Sequence, residues 1–196
     1  MLASDTPLPV RCARSSRLLT ANSSVVTEDA DWGQRAGLRA AELDGPLCVI
    51  GGRTPRQSTI PGYSDIWSDV WRSDDLGETW SQILANGDDA SWAGRAYFQT
   101  MVQDGEMLVI GGQDYRLFEN STDLWQTSDG VERTLDDETP WTTEDPSDIR
   151  YDSDSITVDA DGNEFIMTIN GDCETFDFED PDNYLRLASD VWPFGP

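Results

Sequence analysis

The stretch DGEMLVIGG at residues 104–112 decides the fold, because it repeats DGPLCVIGG at residues 44–52, sixty positions earlier. In both copies an Asp-Gly dipeptide, which favours a tight hairpin turn, precedes a short apolar run that suits a buried strand. The same offset aligns WGQRA at residues 32–36 with WAGRA at residues 92–96. No long stretch shows the 3.6-residue spacing of a helix, so the repeat predicts an all-β fold built from similar units.

A third and weaker copy of this unit follows the first two. The dipeptide Asp161-Gly162 supplies the turn, and residues 165–171 supply the apolar run, with Asn170 where the earlier copies have glycine. Asparagine tolerates left-handed backbone better than most residues, so this exchange preserves the predicted conformation. Each unit also contains a strand with an aspartate, a hydrophobic residue and a tryptophan, at Asp69–Trp71, Asp123–Trp125 and Asp190–Trp192.

These residues resemble the kelch repeats of galactose-oxidase-like β-propellers. The kelch pattern has an arginine before the first strand, an apolar strand that ends in Gly-Gly, and a later Asp-hydrophobe-Trp strand. Arg35, Arg95 and the pairs Gly51-Gly52 and Gly111-Gly112 match that pattern. The resemblance covers residues 32–192 and implies four-stranded antiparallel meanders that form propeller blades.

The resemblance also predicts how the chain is divided. Residues 1–27 are a leader or a stray strand, 28–83 a first blade, 84–141 a second, and 142–196 a degenerate and truncated third. Because propellers usually have four to eight blades, about three units predict an incomplete propeller or a fragment. We expect further blades or self-association to cover its open edges.

A second motif lies inside the first unit. The sequence SDDLGETW at residues 73–80 resembles the Asp-box of sialidase-type propellers. The resemblance implies a structural staple across a hairpin, in which the aspartate accepts backbone hydrogen bonds, the glycine takes a special φ and the tryptophan packs beneath. The matching positions are Ser73, Asp75, Gly77, Thr79 and Trp80.

Charge and composition argue against several functions. The chain has 38 acidic residues and 13 arginines, with no lysine and no histidine, which gives a formal charge of −25. Nucleic acids and anionic membranes would repel it, and no apolar stretch is long enough to insert across a bilayer. Without histidine there is no Ser-His-Asp triad and no histidine-ligated copper or zinc. Three cysteines form no disulfide framework, and the sequence predicts a non-enzymatic protein without a cofactor.

The candidate ligand-binding residues lie in the long loops that follow the Gly-Gly pairs. In a meander these loops leave the sheets at the end opposite to the Asp-Gly turns, together with the connections between units. Long loops on a rigid scaffold commonly carry recognition, and Arg and Tyr are enriched at binding hot spots. The predicted surface consists of Arg53, Arg56, Tyr63, Trp92, Tyr115 and Arg116.

One segment of the third unit offers alternating oxygen ligands. Asp159, Asp161 and Asn163 have the spacing of a calcium loop, so Ca²⁺ is the metal that the sequence suggests. The segment lacks the glycine and the final glutamate of an EF-hand, and it coincides with a hairpin turn of the repeat. A plain turn is therefore the favoured interpretation.

Two functions follow from these observations as alternatives. The first is a non-enzymatic interaction module that binds a protein or a glycan. The second is a carbohydrate-active propeller, glycosidase-like or lectin-like, that uses carboxylates. A secreted or cell-surface location is favoured, and the Arg-bearing, acid-poor residues 1–27 also resemble an organellar leader.

Overall fold

The protein is all-β in the computed structural model, as the sequence predicts. The structure describes residues 24–56, 64–87, 92–114, 119–138, 149–173, 179–180, 182 and 186–194. Within those ranges there are fifteen strands and no helix, and every strand pair is antiparallel. No helix that could cross a membrane occurs in these ranges.

The first unit forms a four-stranded sheet and a small separate hairpin. The hairpin interrupts the connection between the second and third strands of the sheet. The strands are β1 (Arg39–Glu42), β2 (Leu47–Ile50), β3 (Arg53–Pro55), β4 (Ser64–Ile66), β5 (Val70–Ser73) and β6 (Ser81–Leu84). The sheet order is β1-β2-β5-β6, and β3 pairs with β4.

The second unit repeats this arrangement, and the third shows three strands in the part that is described. The strands are β7 (Gln99–Gln103), β8 (Glu106–Ile110), β9 (Gln113–Asp114), β10 (Glu119–Asn120), β11 (Asp123–Thr127), β12 (Thr134–Glu138), β13 (Asp154–Ala160), β14 (Asn163–Asp172) and β15 (Leu187–Phe194). The second sheet has the order β7-β8-β11-β12 with a β9–β10 hairpin, and the third has the order β13-β14-β15.

Each sheet has two chemically different ends. The Asp-Gly dipeptides form the first turn of every sheet, and both of their residues have positive φ, as type I′ turns require. The β5–β6 and β11–β12 loops leave the sheets at the same end, which we call the turn end. The β3–β4 and β9–β10 hairpins lie at the opposite end, which we call the hairpin end.

Equivalent residues near the end of the second strand of each sheet share one left-handed conformation. Gly51, Gly111 and Asn170 all have φ of 59°. The prediction that Asn170 replaces a glycine in left-handed backbone is therefore confirmed. The next glycine must also lack a side chain, because a Cβ on Gly112 would lie 2.6 Å from the Cβ of Phe98.

Successive sheets pack against each other through apolar residues. One buried cluster joins the first sheet, through Cys48, Ile50 and Val70, to Met107 and Val109 of the second. A second cluster joins the other face of the second sheet, through Leu108, Ile110 and Leu124, to Ile166 of the third. The first strands of successive sheets, β1 with β7 and β7 with β13, also contact each other.

Equivalent residues before these first strands form a short ladder of backbone hydrogen bonds. The Tyr97 amide donates to the Gly37 carbonyl at 2.9 Å, and the Asp152 amide donates to the Tyr97 carbonyl at 2.9 Å. All three residues have positive φ, of 67°, 57° and 48° in chain order. The three units are thus linked through the same backbone position.

The N-terminal segment does not add a strand within its described part. Residues 1–23 of the predicted leader lie outside the described residues, and residues 24–27 form no strand. Instead, the Thr27 hydroxyl donates a hydrogen bond to the Gly77 carbonyl in the β5–β6 loop. Residues 24–27 therefore contact the β5–β6 loop and add no strand to a sheet.

Candidate binding face

A buried ion pair fixes the hairpin end of the first sheet. The Arg35 guanidinium donates to both carboxylate oxygens of Asp69, at 2.6 and 2.8 Å, and to the Gly51 carbonyl at 3.1 Å. The Trp71 indole donates to the same carboxylate at 2.8 Å. The two charged side chains are 2% and 1% exposed. We call this arrangement the Arg–Asp–Trp brace.

The brace occurs in all three units. In the second, Arg95 donates to Asp123 at 2.6 and 2.9 Å and the Trp125 indole donates at 2.6 Å. Burial opposes ionisation of Asp123, but the bonds from Arg95 and Trp125 outweigh it and leave the pKa below its ordinary value. The third brace consists of Arg150, Asp190 and Trp192, with bonds of 2.8 and 2.9 Å to the carboxylate.

Arg150 was not identified from the sequence. The arginines of the first two units were found through the tryptophan three residues before them, and position 147 is Ser. A second signal was available, because Arg35, Arg95 and Arg150 each lie four residues before the first strand of their sheet. The braces hold the ends of the second and third sheet strands together, so they make the hairpin end a rigid support.

Each sheet presents one polar side chain at the same place beyond the brace. Isolated bridges pair Ala36 with Arg53, Ala96 with Gln113 and Tyr151 with Asp172. The three units therefore place a guanidinium, an amide and a carboxyl group at equivalent positions. We call the surface formed by Arg53, Asp172, Tyr97 and Asp152, together with the buried Gln113 amide, the candidate binding face.

Arg53 connects the first unit to the second across this face. Its guanidinium donates to the Ser64 hydroxyl at 3.0 Å and to the Tyr97 hydroxyl at 3.4 Å. It also lies 5.7 Å from the centre of the Tyr97 ring. A planar donor group is thus held in position beside an aromatic ring, an arrangement that favours recognition of polar ligands.

Gln113 contributes a buried amide with unused hydrogen-bonding capacity. Its side chain is inaccessible to solvent, and its nitrogen donates to the Asn120 side-chain oxygen at 3.2 Å. Its oxygen has no hydrogen-bond partner among the described residues. Buried polar atoms are nearly always satisfied, so this oxygen is suited to a donor from an ordered water or a ligand.

The third unit contributes two carboxylates. Burial raises the pKa of Asp172 above its ordinary value, the charge of Asp152 raises it further, and a hydrogen bond from Tyr151 acts in the opposite direction. Asp152 also lies 3.5 Å from the Arg39 guanidinium. The face therefore carries one carboxyl group that retains its proton to higher pH than an ordinary aspartate.

The residues predicted from the sequence fall into three groups. Arg53 and Arg56 lie at the hairpin end, where Arg56 forms an exposed ion pair with Asp65. Tyr63, Tyr115 and Arg116 lie outside the described residues. Sequence reasoning missed Tyr97, Asp152, Gln113 and Asp172, although the last two follow the Gly-Gly position of their units just as Arg53 does.

Trp92 requires a correction, because it does not belong to this surface. It is 3% exposed and lies in the core between the first two sheets. Its indole donates to the Ser68 carbonyl at 3.2 Å, and the Arg133 guanidinium lies 3.9 Å from its ring centre. Trp92 thus lies between the sheets, where its ring is not available to a ligand at the surface.

The Asp-box-like loop uses its polar groups within the β5–β6 turn. The Ser73 hydroxyl accepts from the Gly77 amide at 2.8 Å, and Gly77 has a φ of 93°. Asp75 accepts from the Thr79 amide at 2.9 Å and from the Thr79 hydroxyl at 2.6 Å. The Trp80 indole donates to the Gly77 carbonyl at 3.1 Å. These bonds give the loop a structural role at the turn end.

The calcium-like segment forms a hairpin turn. Asp159 accepts from the Gly162 amide at 3.0 Å, and Asn163 pairs with Ala160 across the turn. Asp161 has a φ of 58°, which places it in the turn itself. The described residues contain no group of three or more His, Cys, Asp or Glu side chains arranged to hold a metal.

Asp75 makes the stability of the β5–β6 turn dependent on pH. Hydrogen bonds from Thr79 and Ser73 lower its pKa to about 2, whereas an unfolded aspartate has a pKa of about 3.9. This carboxylate therefore stabilises the fold above about pH 4, and the stabilisation is lost as the pH falls toward 2. We expect Asp75→Asn to lower the melting temperature at pH 7 and to flatten its decline between pH 4 and 2.

The matched control for this prediction is Asp74→Asn. The Asp74 carboxylate accepts from the Arg72 guanidinium at 2.8 Å instead of from the turn backbone. Its replacement removes an exposed ion pair but none of the hydrogen bonds within the turn, so the melting temperature at pH 7 should stay near that of the parent chain. Equal slopes for the parent and the Asp75 variant would contradict the assignment.

Comparison with known proteins identifies a similar fold. No family model matches the chain, and no curated protein matches it. Among solved structures it is similar to the one titled "Structure of YjhT", with a TM-score of 0.54 and 16% sequence identity. The match covers 72% of this chain and 45% of that one, so the chain spans less than half the length of the matched structure. At this identity the likeness concerns the fold alone.

Proposed function

We propose that the chain forms kelch-type β-propeller blades and acts as a non-enzymatic module that binds a glycan or a protein at its hairpin end. Three features support the propeller arrangement. The Arg–Asp–Trp brace recurs in each sheet, the first strands of successive sheets contact each other, and equivalent residues are linked through Tyr97. These features support an arrangement in which the sheets lie side by side and the first strand of each sheet lies next to the first strand of its neighbour.

The observation that carries the binding proposal is the equivalence of Arg53, Gln113 and Asp172. Three sheets present a cationic donor, an amide and a carboxyl group at one repeated position, with the Tyr97 ring held beside Arg53. A mixture of donors, acceptors and an aromatic ring suits the many hydroxyl groups of a glycan. A polar protein surface is the other ligand class that fits this mixture.

Two observations support a non-enzymatic role: the residue types in the chain, and the hydrogen bonds that its charged residues form within the fold. The chain has no histidine, and the arginines and aspartates of the braces neutralise each other. The polar groups of the Asp-box-like loop are likewise bonded to their own turn. The chemistry that remains at the candidate binding face supports recognition better than bond cleavage.

A glycan array probed with the purified chain, with Arg53→Ala as the test variant, examines this proposal. Hydrogen bonds that involve a charged group contribute about 1.5–3 kcal/mol, so the affinity for the strongest array ligand should fall by about tenfold or more. The control is Arg72→Ala, because Arg72 lies at the turn end and pairs with Asp74. Equal affinity of the Arg53 variant and the parent chain would contradict the proposed face.

One observation favours a second candidate, a carbohydrate-active propeller. Asp172 has a raised pKa because of burial and of the neighbouring Asp152 charge, and a carboxyl group with a raised pKa is suited to act as a general acid on a glycosidic bond. A panel of glycosidase substrates separates the candidates. Turnover that disappears in Asp172→Asn would support the enzyme, and binding without turnover supports the interaction module.

A further inference from the structure

The packing of the sheets leaves two complementary faces at the ends of the row. Where two sheets pack together, we call the face of the earlier sheet its forward face and the face of the later sheet its reverse face. The forward face of the first sheet carries Cys48, Ile50 and Val70 and is covered by the second sheet. The forward face of the second carries Leu108, Ile110 and Leu124 and is covered by the third. We use these two names for the corresponding faces of every sheet.

The third sheet carries the same apolar positions on its own forward face. Strand register places Met167, Ile169 and Val191 where the second sheet has Leu108, Ile110 and Leu124. Ile156 and Val191 are each 52% exposed on this face. The equivalent Val70 of the first sheet is fully buried. The forward face of the third sheet therefore carries apolar residues like those of the two buried forward faces, but it is exposed to solvent.

One repeated tetrapeptide makes the comparison direct. The sequence SDVW occurs at residues 68–71 and again at residues 189–192. In the first copy, Trp92 of the following unit lies in the same core cluster as Val70, and its indole donates to the Ser68 carbonyl at 3.2 Å. In the second copy, the residue equivalent to Val70 is the exposed Val191. The identical sequence indicates that the second copy is suited to the same kind of contact.

The opposite end of the row carries the matching structure. Trp32 is the sequence equivalent of Trp92, and its ring contacts Trp71 and Trp80 with centroid distances of 6.4 and 4.4 Å. Trp32 and Trp71 are only partly buried, whereas Trp92 is 3% exposed. Trp32 thus lies at the reverse face of the first sheet. Its equivalent, Trp92, contacts the forward face of the first sheet.

We propose that the forward face of the third sheet binds the reverse face of the first sheet of a second copy of this chain. The partner's Trp32 would lie against residues 189–191 as Trp92 lies against residues 68–70. The same contact formed in both directions closes a ring of two copies, and the resulting six sheets fall within the usual range for propellers. This inference concerns the sheet faces and does not depend on the ligand proposed for the hairpin end.

A second copy is the occupant for two reasons. The contact continues the two sheet interfaces that the chain already forms within itself. In addition, SDVW at residues 189–192 is identical to the tetrapeptide that contacts Trp92 within the chain, and Trp32 of a second copy is the sequence equivalent of Trp92. A heterologous contact of this kind can close into a ring because the two faces lie at opposite ends of the row.

Sedimentation velocity of the 196-residue chain tests the proposal. At about 0.15 M salt, where the Debye length is about 8 Å and repulsion between acidic surfaces is screened, we expect a species of twice the chain mass of 21.8 kDa. A species of 21.8 kDa at every concentration up to the solubility limit would overturn the proposal. That result would also indicate that the face is covered by something other than a second copy.

Two single variants distinguish this contact from other dimers. Val191→Arg places a charge on the forward face of the third sheet, and Ala40→Arg places one on the reverse face of the first, where Ala40 is exposed. Both changes occur at exposed positions, so each variant should fold as a monomer with the circular dichroism spectrum of the parent chain. Each should sediment as a monomer where the parent chain sediments as a dimer.

Mixing the two variants provides the decisive measurement. The mixture should recover a dimer, because one interface then joins two unaltered faces. A dimer that survives either substitution, or a mixture that stays monomeric, would overturn the head-to-tail contact. The control is Leu135→Arg, which changes an exposed apolar residue of β12 and should leave the parent dimer intact. Loss of the dimer in this control would also count against the assigned faces.

Discussion

Replacement of Arg35 by methionine is expected to lower the free energy of unfolding by about 3–5 kcal/mol. The substitution leaves the Asp69 carboxylate, whose side chain is 1% exposed, without its bidentate partner in a buried site. It also removes the hydrogen bond to the Gly51 carbonyl. Because folded domains are stable by only about 5–15 kcal/mol, this single change should bring the chain close to unfolding. Urea denaturation followed by tryptophan fluorescence measures the effect.

The matched control for the brace is Arg72→Met. Arg72 also forms an ion pair with an aspartate, but its side chain is 40% exposed and that of Asp74 is 67% exposed. Exposed pairs contribute little to stability because solvent screens them, so the unfolding midpoint should stay near that of the parent chain. If both variants lost a similar free energy of unfolding, burial of the brace would not explain its contribution to stability.

The second large effect is expected for Trp92→Ala, which should cost about 3–5 kcal/mol. The ring lies in the cluster between the first and second sheets, and its indole donates to the Ser68 carbonyl. Its removal leaves a cavity between two sheets and an unsatisfied carbonyl. Thermal unfolding monitored by circular dichroism should show a large decrease in the melting temperature.

Trp80→Ala serves as the comparison for this prediction. Trp80 is only partly buried in the Asp-box-like loop, where it contacts Trp32 and donates to the Gly77 carbonyl. We expect Trp80→Ala to lower the free energy of unfolding by less than Trp92→Ala does, because the Trp80 ring buries less apolar surface. A Trp80 variant that is less stable than the Trp92 variant would contradict the location of the main core.

The features that could be predicted from the sequence are those that depend on local backbone geometry. Asp-Gly pairs predicted three hairpin turns, and Asn170 predicted a left-handed residue, because φ preferences act within one or two residues. The repeat predicted that units would share one arrangement of strands, since equal sequences place equal residues in a sheet. The all-β fold followed from these signals.

The features that could not be predicted depend on packing between units. Trp92 was placed at a ligand surface because the segment between two sheets has the composition of a surface loop, whereas Trp92 itself lies in the core between the sheets. The segments after Gly52 and Gly112 were interpreted as long loops, but they form the β3–β4 and β9–β10 hairpins. Strands of two or three residues have no usable periodicity.

The candidate binding face was predicted in part. Arg53 was found because it follows a Gly-Gly pair, but Gln113 and Asp172 were overlooked because they share its position without sharing its chemistry. Tyr97 was overlooked because its proximity to Arg53 arises from contact between units. Equivalence of position in a repeat was therefore a better guide to the face than residue type.

Hydrogen–deuterium exchange in the presence of the strongest array glycan tests whether the hairpin end binds the ligand. If the hairpin end binds the ligand, the backbone amides of β3, β4, β9 and β10 should exchange more slowly in the complex. The Asp-Gly turns and the β5–β6 loop at the turn end should exchange at unchanged rates. Protection confined to the turn end, with none in the two hairpins, would contradict the account.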